Sequence, residues 1–187
     1  MSRYTVDADF VLLDASPFWR CAEAGQLLYL ARYLDKKAHI TLEVDDELKH
    51  GATRYPDLKT LDLMRWPPEK NKLSLPAPQQ QELLDIIRTL QEDGDHPLKH
   101  AGEVSTVLMA QELGGKLILL DDGDGKQLAR RREVPRLSTA MLAAEMAVTE
   151  AVPEEEAFKL YGLVTPDGVG EAEWTQALER ARAEIEA

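Results

Sequence analysis

Apolar residues occur along this chain in two alternating forms, short unbroken runs and stretches in which they return every three or four positions. Residues 9–13 (DFVLL), 38–42 (AHITL) and 116–120 (KLILL) are the short runs expected of strands buried on both faces. Each is followed by helical spacing. After the first, Ser16 can cap a helix and Pro17 suits its first turn; Gly25 interrupts, and Leu27, Leu30, Ala31 and Leu34 then recur through LLYLARYL. After the second, Val44 and Leu48 mark the inner face of a helix in EVDDELKHG that Gly51 is expected to stop. After the third, a helix is expected over residues 126–132, a short strand over 134–137 and a further helix over 139–152.

The middle of the chain is less regular. Residues 65–78 (RWPPEKNKLSLPAP) hold four prolines and read as loop, with residues 73–75 as an edge strand. A helix over 79–91 points Leu83, Ile86, Ile87 and Leu90 inward. Another, in HAGEVSTVLMAQELGG, carries Val104, Val107, Leu108 and Gln111 on one face and closes at Gly114-Gly115. Strands alternating with helices predict an α/β fold: a three-layer α/β/α sandwich around a mostly parallel central sheet. That domain is expected over residues 1–152. Residues 153–187 read as an acidic helical C-terminal extension, with Trp174, Ala177, Leu178, Ala181 and Ile185 along one side of its last helix.

In such sheets ligands collect beyond the carboxyl ends of the strands. That edge is acidic here. Asp14 follows the first strand, Asp121 and Asp122 follow the run at 116–120, Glu47 lies on the helix after the second strand, and Glu103 opens the central helix. Two carboxylates about 4 Å apart repel by roughly 4 kcal/mol at an effective dielectric near 20. A converged cluster therefore calls for a cation, and an all-oxygen donor set suits Mg²⁺ or Mn²⁺. Such ions activate water and stabilise charge on a phosphodiester.

Charge does not oppose an acidic substrate as strongly as the net −12 implies. From Pro153 onward nine acids face three bases, so half of the net charge sits in the last fifth of the chain. With five site acids set aside as metal-neutralised, the first 152 residues hold 20 acids and 19 bases. The basic residues Lys126, Arg130 and Arg131 leave the helix that starts at the cluster, where they are placed to hold phosphates. One cysteine and four scattered histidines exclude a zinc constellation. His96 and His100 are four apart, but Pro97 intervenes and the segment reads as loop, so neither is expected to ligate metal. No signal peptide or long apolar run is evident, and a cytoplasmic location is expected.

The ordered blocks VLLDAS, ITLEVDDEL and HAGEVSTVLMAQELGGKLILLDDGDGKQLARR resemble the successive signatures of PIN-domain nucleases, especially the VapC-like toxin branch and related bacterial PIN-like proteins. The resemblance implies an endoribonuclease whose catalytic acids are Asp14, Glu47, Glu103 and Asp122, with Asp14, Glu103, Asp122 and Asp124 at the Mg²⁺ or Mn²⁺ site. Ser16 supports Asp14 in that reading. Asp122 is preferred to Asp121 because Asp122-Gly-Asp124 keeps a D-x-D spacing, which leaves Asp121 to cap the following helix; Glu43 rivals Glu47 one turn away. The partners expected are an RNA substrate, a small antitoxin protein and a second copy of the chain in a homodimer. The alternative is a catalytically weak PIN-fold protein that binds RNA or regulates outside a toxin–antitoxin pair. A haloacid-dehalogenase or receiver-like fold is disfavoured, since DAS lacks the second aspartate of DxD.

Overall fold

A computed structural model of the chain describes residues 4–92, 99–121, 123–165 and 170–186. Five strands form one parallel sheet in the order β3-β2-β1-β4-β5: β1 is Val11–Leu13, β2 Ala38–Thr41, β3 Lys72–Leu73, β4 Leu117–Leu119 and β5 Arg136–Leu137. The expected mostly parallel sheet is thus wholly parallel among the described residues. Strand side chains alternate between two cores. Val11 and Leu13 of β1 face one core while Leu12 faces the other, and Leu117 and Leu119 of β4 separate from Ile118 in the same way. The apolar runs are unbroken because both faces are covered.

Helices α1 (Ala15–Glu23), α2 (Leu27–Leu34), α3 (Leu42–Gly51) and α8 (Thr139–Val148) contribute to the first core. Helices α5 (Ala77–Leu90), α6 (Ala101–Glu112) and α7 (Gly123–Arg131) form the second. A short helix α4 (Lys59–Met64), absent from the sequence reading, inserts Leu61 into the first core. The C-terminal segment forms α9 (Glu154–Val164) and α10 (Glu171–Ile185). Both pack on α8, and Ala157, Leu160, Trp174, Ala177, Leu178 and Ala181 join the first core. The acids Glu171, Glu173 and Glu179 of α10 face outward. Among the described residues no helix is long and apolar enough to cross a membrane.

Several local features differ from expectation. The α1 cap is Asp14, whose backbone is extended and whose carboxylate accepts the Ser16 N–H; the helix already starts at Ala15, directly after Asp14, which leaves Ser16 inside its first turn. Gly51 is the last residue of α3, where a stop was expected, and it is also favoured by close approach: a Cβ there would meet the Trp19 indole nitrogen at 2.9 Å. Gly114 and Gly115 do close α6 with positive φ of 81° and 79°. Helix α6 has no single apolar face, because residues 101–110 are buried on every side while Gln111 is exposed. It is the central pillar, touching α3, α5, α7 and the sheet.

Candidate active site

Strand order places β1 between β2 and β4, so the connections leave the sheet in opposite directions at its middle. A crevice at the carboxyl end of such a switch point is where ligands bind in parallel sheets. Asp14 stands there, 5% exposed, and its amide donates to the Leu119 carbonyl across the end of β4. Its Oδ2 accepts from the Ser16 amide at 3.3 Å and the Ser16 hydroxyl at 2.7 Å. Burial raises its pKa, the Ser16 and Ala15 bonds oppose that rise, and the charge of Asp121 adds to it.

Glu47 reaches the same place from α3. Thr41 fixes the start of that helix: its hydroxyl accepts from the Val44 amide and pairs at 2.7 Å with Ser105 on α6, which in turn donates to the Gly102 carbonyl. Tied in this way, α3 lays Glu47 against α6, where its Oε1 accepts the Gly102 amide at 2.8 Å. A Cβ on residue 102 would sit 2.7 Å from that oxygen, so glycine is what admits the carboxylate. Burial first, then the neighbouring charge of Asp14, push the Glu47 pKa up to about 7; the Gly102 bond opposes and Glu43 contributes. Glu43 lies one turn earlier, and its Oε2 is buried without a hydrogen-bond partner. Both rival acids therefore face the cluster, with Glu47 the one set against Asp14.

Glu103, 5% exposed, follows Gly102 directly. Its Oε2 accepts the Gly125 amide of α7 at 2.8 Å, and its Oε1 contacts the Nδ1 of His100. Residue 125 is again glycine for want of space, since a Cβ would come within 2.7 Å of Oε2. Asp124, half exposed in the first turn of α7, lies 4.0 Å from the same His100 nitrogen. Gly102 and Gly125 belong to the site and escaped the sequence reading, while His100, not expected to ligate metal, is placed against the site acid Glu103. The signal available was the pairing of Gly with an acid one residue away, Gly102-Glu103 and Asp124-Gly125.

Asp122 lies outside the described residues. Asp121 is engaged elsewhere: it accepts from the Thr139 amide at 2.8 Å and the Thr139 hydroxyl at 2.5 Å. Its expected capping role falls on α8, eighteen residues on, and not on the helix that follows it. Thr139 presents a free amide at a helix start directly beyond the neighbouring strand, and a negative charge is stabilised there. Lys126 and Arg130 line a cleft beside β5, while Arg131 is exposed outside it.

The donor chemistry suits a hard divalent cation. It is all oxygen, it contains like charges in mutual repulsion, and one buried carboxylate oxygen lacks any partner. Among the described residues no three acids, histidines or cysteines close around a single metal position.

Over residues 10–157 the sequence matches the family model DUF3368, a PIN domain. No curated protein and no solved structure matches it. The PIN domain is a nuclease fold, and its members generally use divalent metal ions. The matched span takes in every acid of the cluster from Asp14 to Asp124 together with all five strands, and the chain belongs to the PIN-domain family.

Proposed function

We propose that this PIN domain is a metal-dependent ribonuclease that hydrolyses RNA phosphodiester bonds, with Asp14, Glu47, Glu103 and Asp122 as its catalytic carboxylates. The observation that carries the reading is the opposition of Asp14 and Glu47. A buried acid and a half-buried one, from separate elements, stand together at the sheet's switch point, and the second is pushed up to about 7. Strongly shifted acids in a crevice mark working sites more often than structural ones.

Asp14, Glu103, Asp122 and Asp124 are the residues that would hold Mg²⁺ or Mn²⁺. A cation so bound supplies charge against the carboxylates' repulsion and Lewis acidity toward the phosphodiester and attacking water. The chain's own part is positional and protonic. Ser16 fixes one oxygen of Asp14, and the Gly125 amide fixes one oxygen of Glu103. Glu47 has Oε1 held by Gly102, which leaves Oε2 as the atom that takes a proton from the water. Lys126, Arg130 and Arg131 hold the phosphates of the strand.

A labelled single-stranded RNA incubated with the full chain tests the proposal. Cleavage with Mg²⁺ or Mn²⁺, lost with chelator and lost in Asp14→Asn, is the expected result. If wild type and Asp14→Asn behave alike under every metal condition, the nuclease reading fails and the weak RNA-binding alternative takes its place. The role of toxin held in check by a small antitoxin is supported by the VapC-like resemblance. Growth arrest on expression, relieved by the product of a short adjacent gene, tests that role.

A further inference from the structure

Beside the carboxylate cluster, at the β5 edge of the sheet, lies a cleft of about 820 Å³, within the ~300–1,000 Å³ typical of sites that enclose small ligands. It begins at Leu120 and Ser138, the immediate neighbours of the hydrogen-bonded pair Asp121 and Thr139, so its near end abuts the site. Its far end is α10. Four cations from three separate elements line it: Lys126 and Arg130 of α7, Arg136 of β5 and Arg180 of α10. Lys126, Arg130 and Arg136 have no carboxylate within ion-pair distance among the described residues, and Arg180 has only a loose 3.8 Å contact with Glu184.

In a chain of net charge −12, unpaired cations gathered around one cleft are poorly explained by stability. Surface pairs contribute little in any case, and leaving these three unpaired concentrates positive potential beside an acidic site. Glu133 and Glu184 also line the cleft, so its four cations outnumber its acids by two. Its lining is mixed, with polar surface matching the apolar contribution of residues such as Met141, and Tyr4 lies buried behind it. A groove lined by unpaired cations from separate elements is the arrangement that tracks the phosphates of a single strand.

We infer that this cleft carries the single-stranded RNA away from the scissile bond, and that Arg136 and Arg180 are substrate-binding residues. The C-terminal helix α10 is thereby part of the substrate path. The inference rests on the ribonuclease reading for its substrate and adds two residues and one element to it.

The test uses the full chain, a fluorescent single-stranded RNA and the double variant Arg136→Ala/Arg180→Ala. The control is Arg65→Ala/Lys70→Ala beside β3, at the opposite edge of the sheet. Each phosphate contact to a single strand contributes about 0.7 to the slope of log affinity against log salt. Loss of two lowers that slope by about 1.4 and weakens binding roughly tenfold at 0.15 M salt. The expected result is a KM raised by that factor at unchanged kcat, with Arg136→Lys/Arg180→Lys restoring most of it and the thermal midpoint unmoved. If KM and salt slope stay at wild-type values, or shift equally in the control, the cleft assignment is overturned while the nuclease stands. If wild type binds the RNA but does not cleave it, the nuclease reading fails, and anisotropy of the same variants still decides the cleft. A wild type that binds no RNA overturns both.

Discussion

A fully buried glutamate and a half-buried one in this molecule have opposite surroundings. Glu145, in the middle of α8, is fully buried and accepts four hydrogen bonds: from the Thr5 amide and hydroxyl, the Val6 amide and the Tyr33 hydroxyl. Burial raises its pKa, but the contributions ranked next are hydrogen bonds that lower it. Glu47 has one backbone donor, and the contribution ranked after burial is another carboxylate. Donors gathered around a lone acid make a fastener, here binding the N-terminal segment to α8. Acids gathered around an acid make a site, whose unfavourable charge only a bound cation or proton relieves. A substitution should therefore cost stability at the first and activity at the second.

The largest effect is expected at the site. Asp14→Asn or Glu103→Gln should reduce RNA cleavage by about 10²–10³-fold, the scale of removing one fixed charge-stabilising group. The thermal midpoint should stay within a few degrees, because the amide side chains keep acceptors for the Ser16 and Gly125 bonds while one negative charge is removed. A midpoint lowered along with the rate would show that these acids are fasteners too, and would erase the contrast. Glu145→Ala should do the reverse. It strands buried donors on Thr5, Val6 and Tyr33 and should cost about 3–4 kcal/mol, on the order of 10 °C in thermal midpoint for a chain of this size. Cleavage per folded molecule should be unchanged at a temperature where both proteins are native.

The two regions also differ in how plainly the sequence announces them. Asp14, Glu47 and Glu103 are legible because strand ends and helix starts are local: an apolar run followed by an acid fixes both the element and the edge on which the acid stands. Glu145 went unremarked, although a single acid within TAMLAAEMAV is itself a signal, since a charge in an otherwise apolar helix needs buried partners. What no local pattern carries is the partner's identity. Asp121 finds Thr139 eighteen residues away because β4 and β5 pair in register, and His100 turns toward Glu103 through a left-handed residue, φ 71°. Helix α6 hid its role differently: periodicity presumes one buried face, and a helix enclosed by α3, α5, α7 and the sheet has none to display. Short α4, with Leu63 86% exposed, lacks the clean amphipathic stripe by which helices are found.

A smaller effect should come from pH. Burial and the charge of Asp14 push Glu47 up to about 7 in the fold, from the ordinary 4.5 that it has in the unfolded chain. Below about pH 4.5 both states carry the proton and nothing is gained or lost. Between there and 7 the unfolded chain gives up a proton that the native chain retains, so stability falls as pH rises, and above 7 the penalty is constant. The total is about 3 kcal/mol. Asp14, shifted in the same direction, adds to it. Thermal midpoints in chelator should fall from pH 5 to pH 8, and Glu47→Gln should flatten the decline. Added Mn²⁺ should raise the midpoint more at pH 8 than at pH 5. A midpoint that climbs across that range in wild type would mean that donors, and not acids, dominate around Glu47.

The smallest stability change with a functional consequence is expected at Gly102. Alanine there gains up to about 1 kcal/mol in helix propensity. Against this, its Cβ lands 2.7 Å from Glu47 Oε1 and 2.9 Å from Oε2, and the end of a flexible side chain can swing aside cheaply. The two contributions nearly cancel, so Gly102→Ala should leave the thermal midpoint within a few degrees of wild type. The displaced carboxylate, however, loses the amide that aims it and moves away from Asp14. Loss of an orienting contact of this kind costs about 10–100-fold in metal affinity or rate, and the lower end is expected because Glu47 can re-approach from another rotamer. Relief of its repulsion with Asp14 should also draw the Glu47 pKa down, which flattens the pH dependence of stability as Glu47→Gln does. Titration of Mn²⁺ against cleavage rate separates the possibilities: a raised metal requirement with intact maximal rate places Glu47 with the ligands, whereas a lowered maximal rate at saturating metal places it with the proton-transfer step.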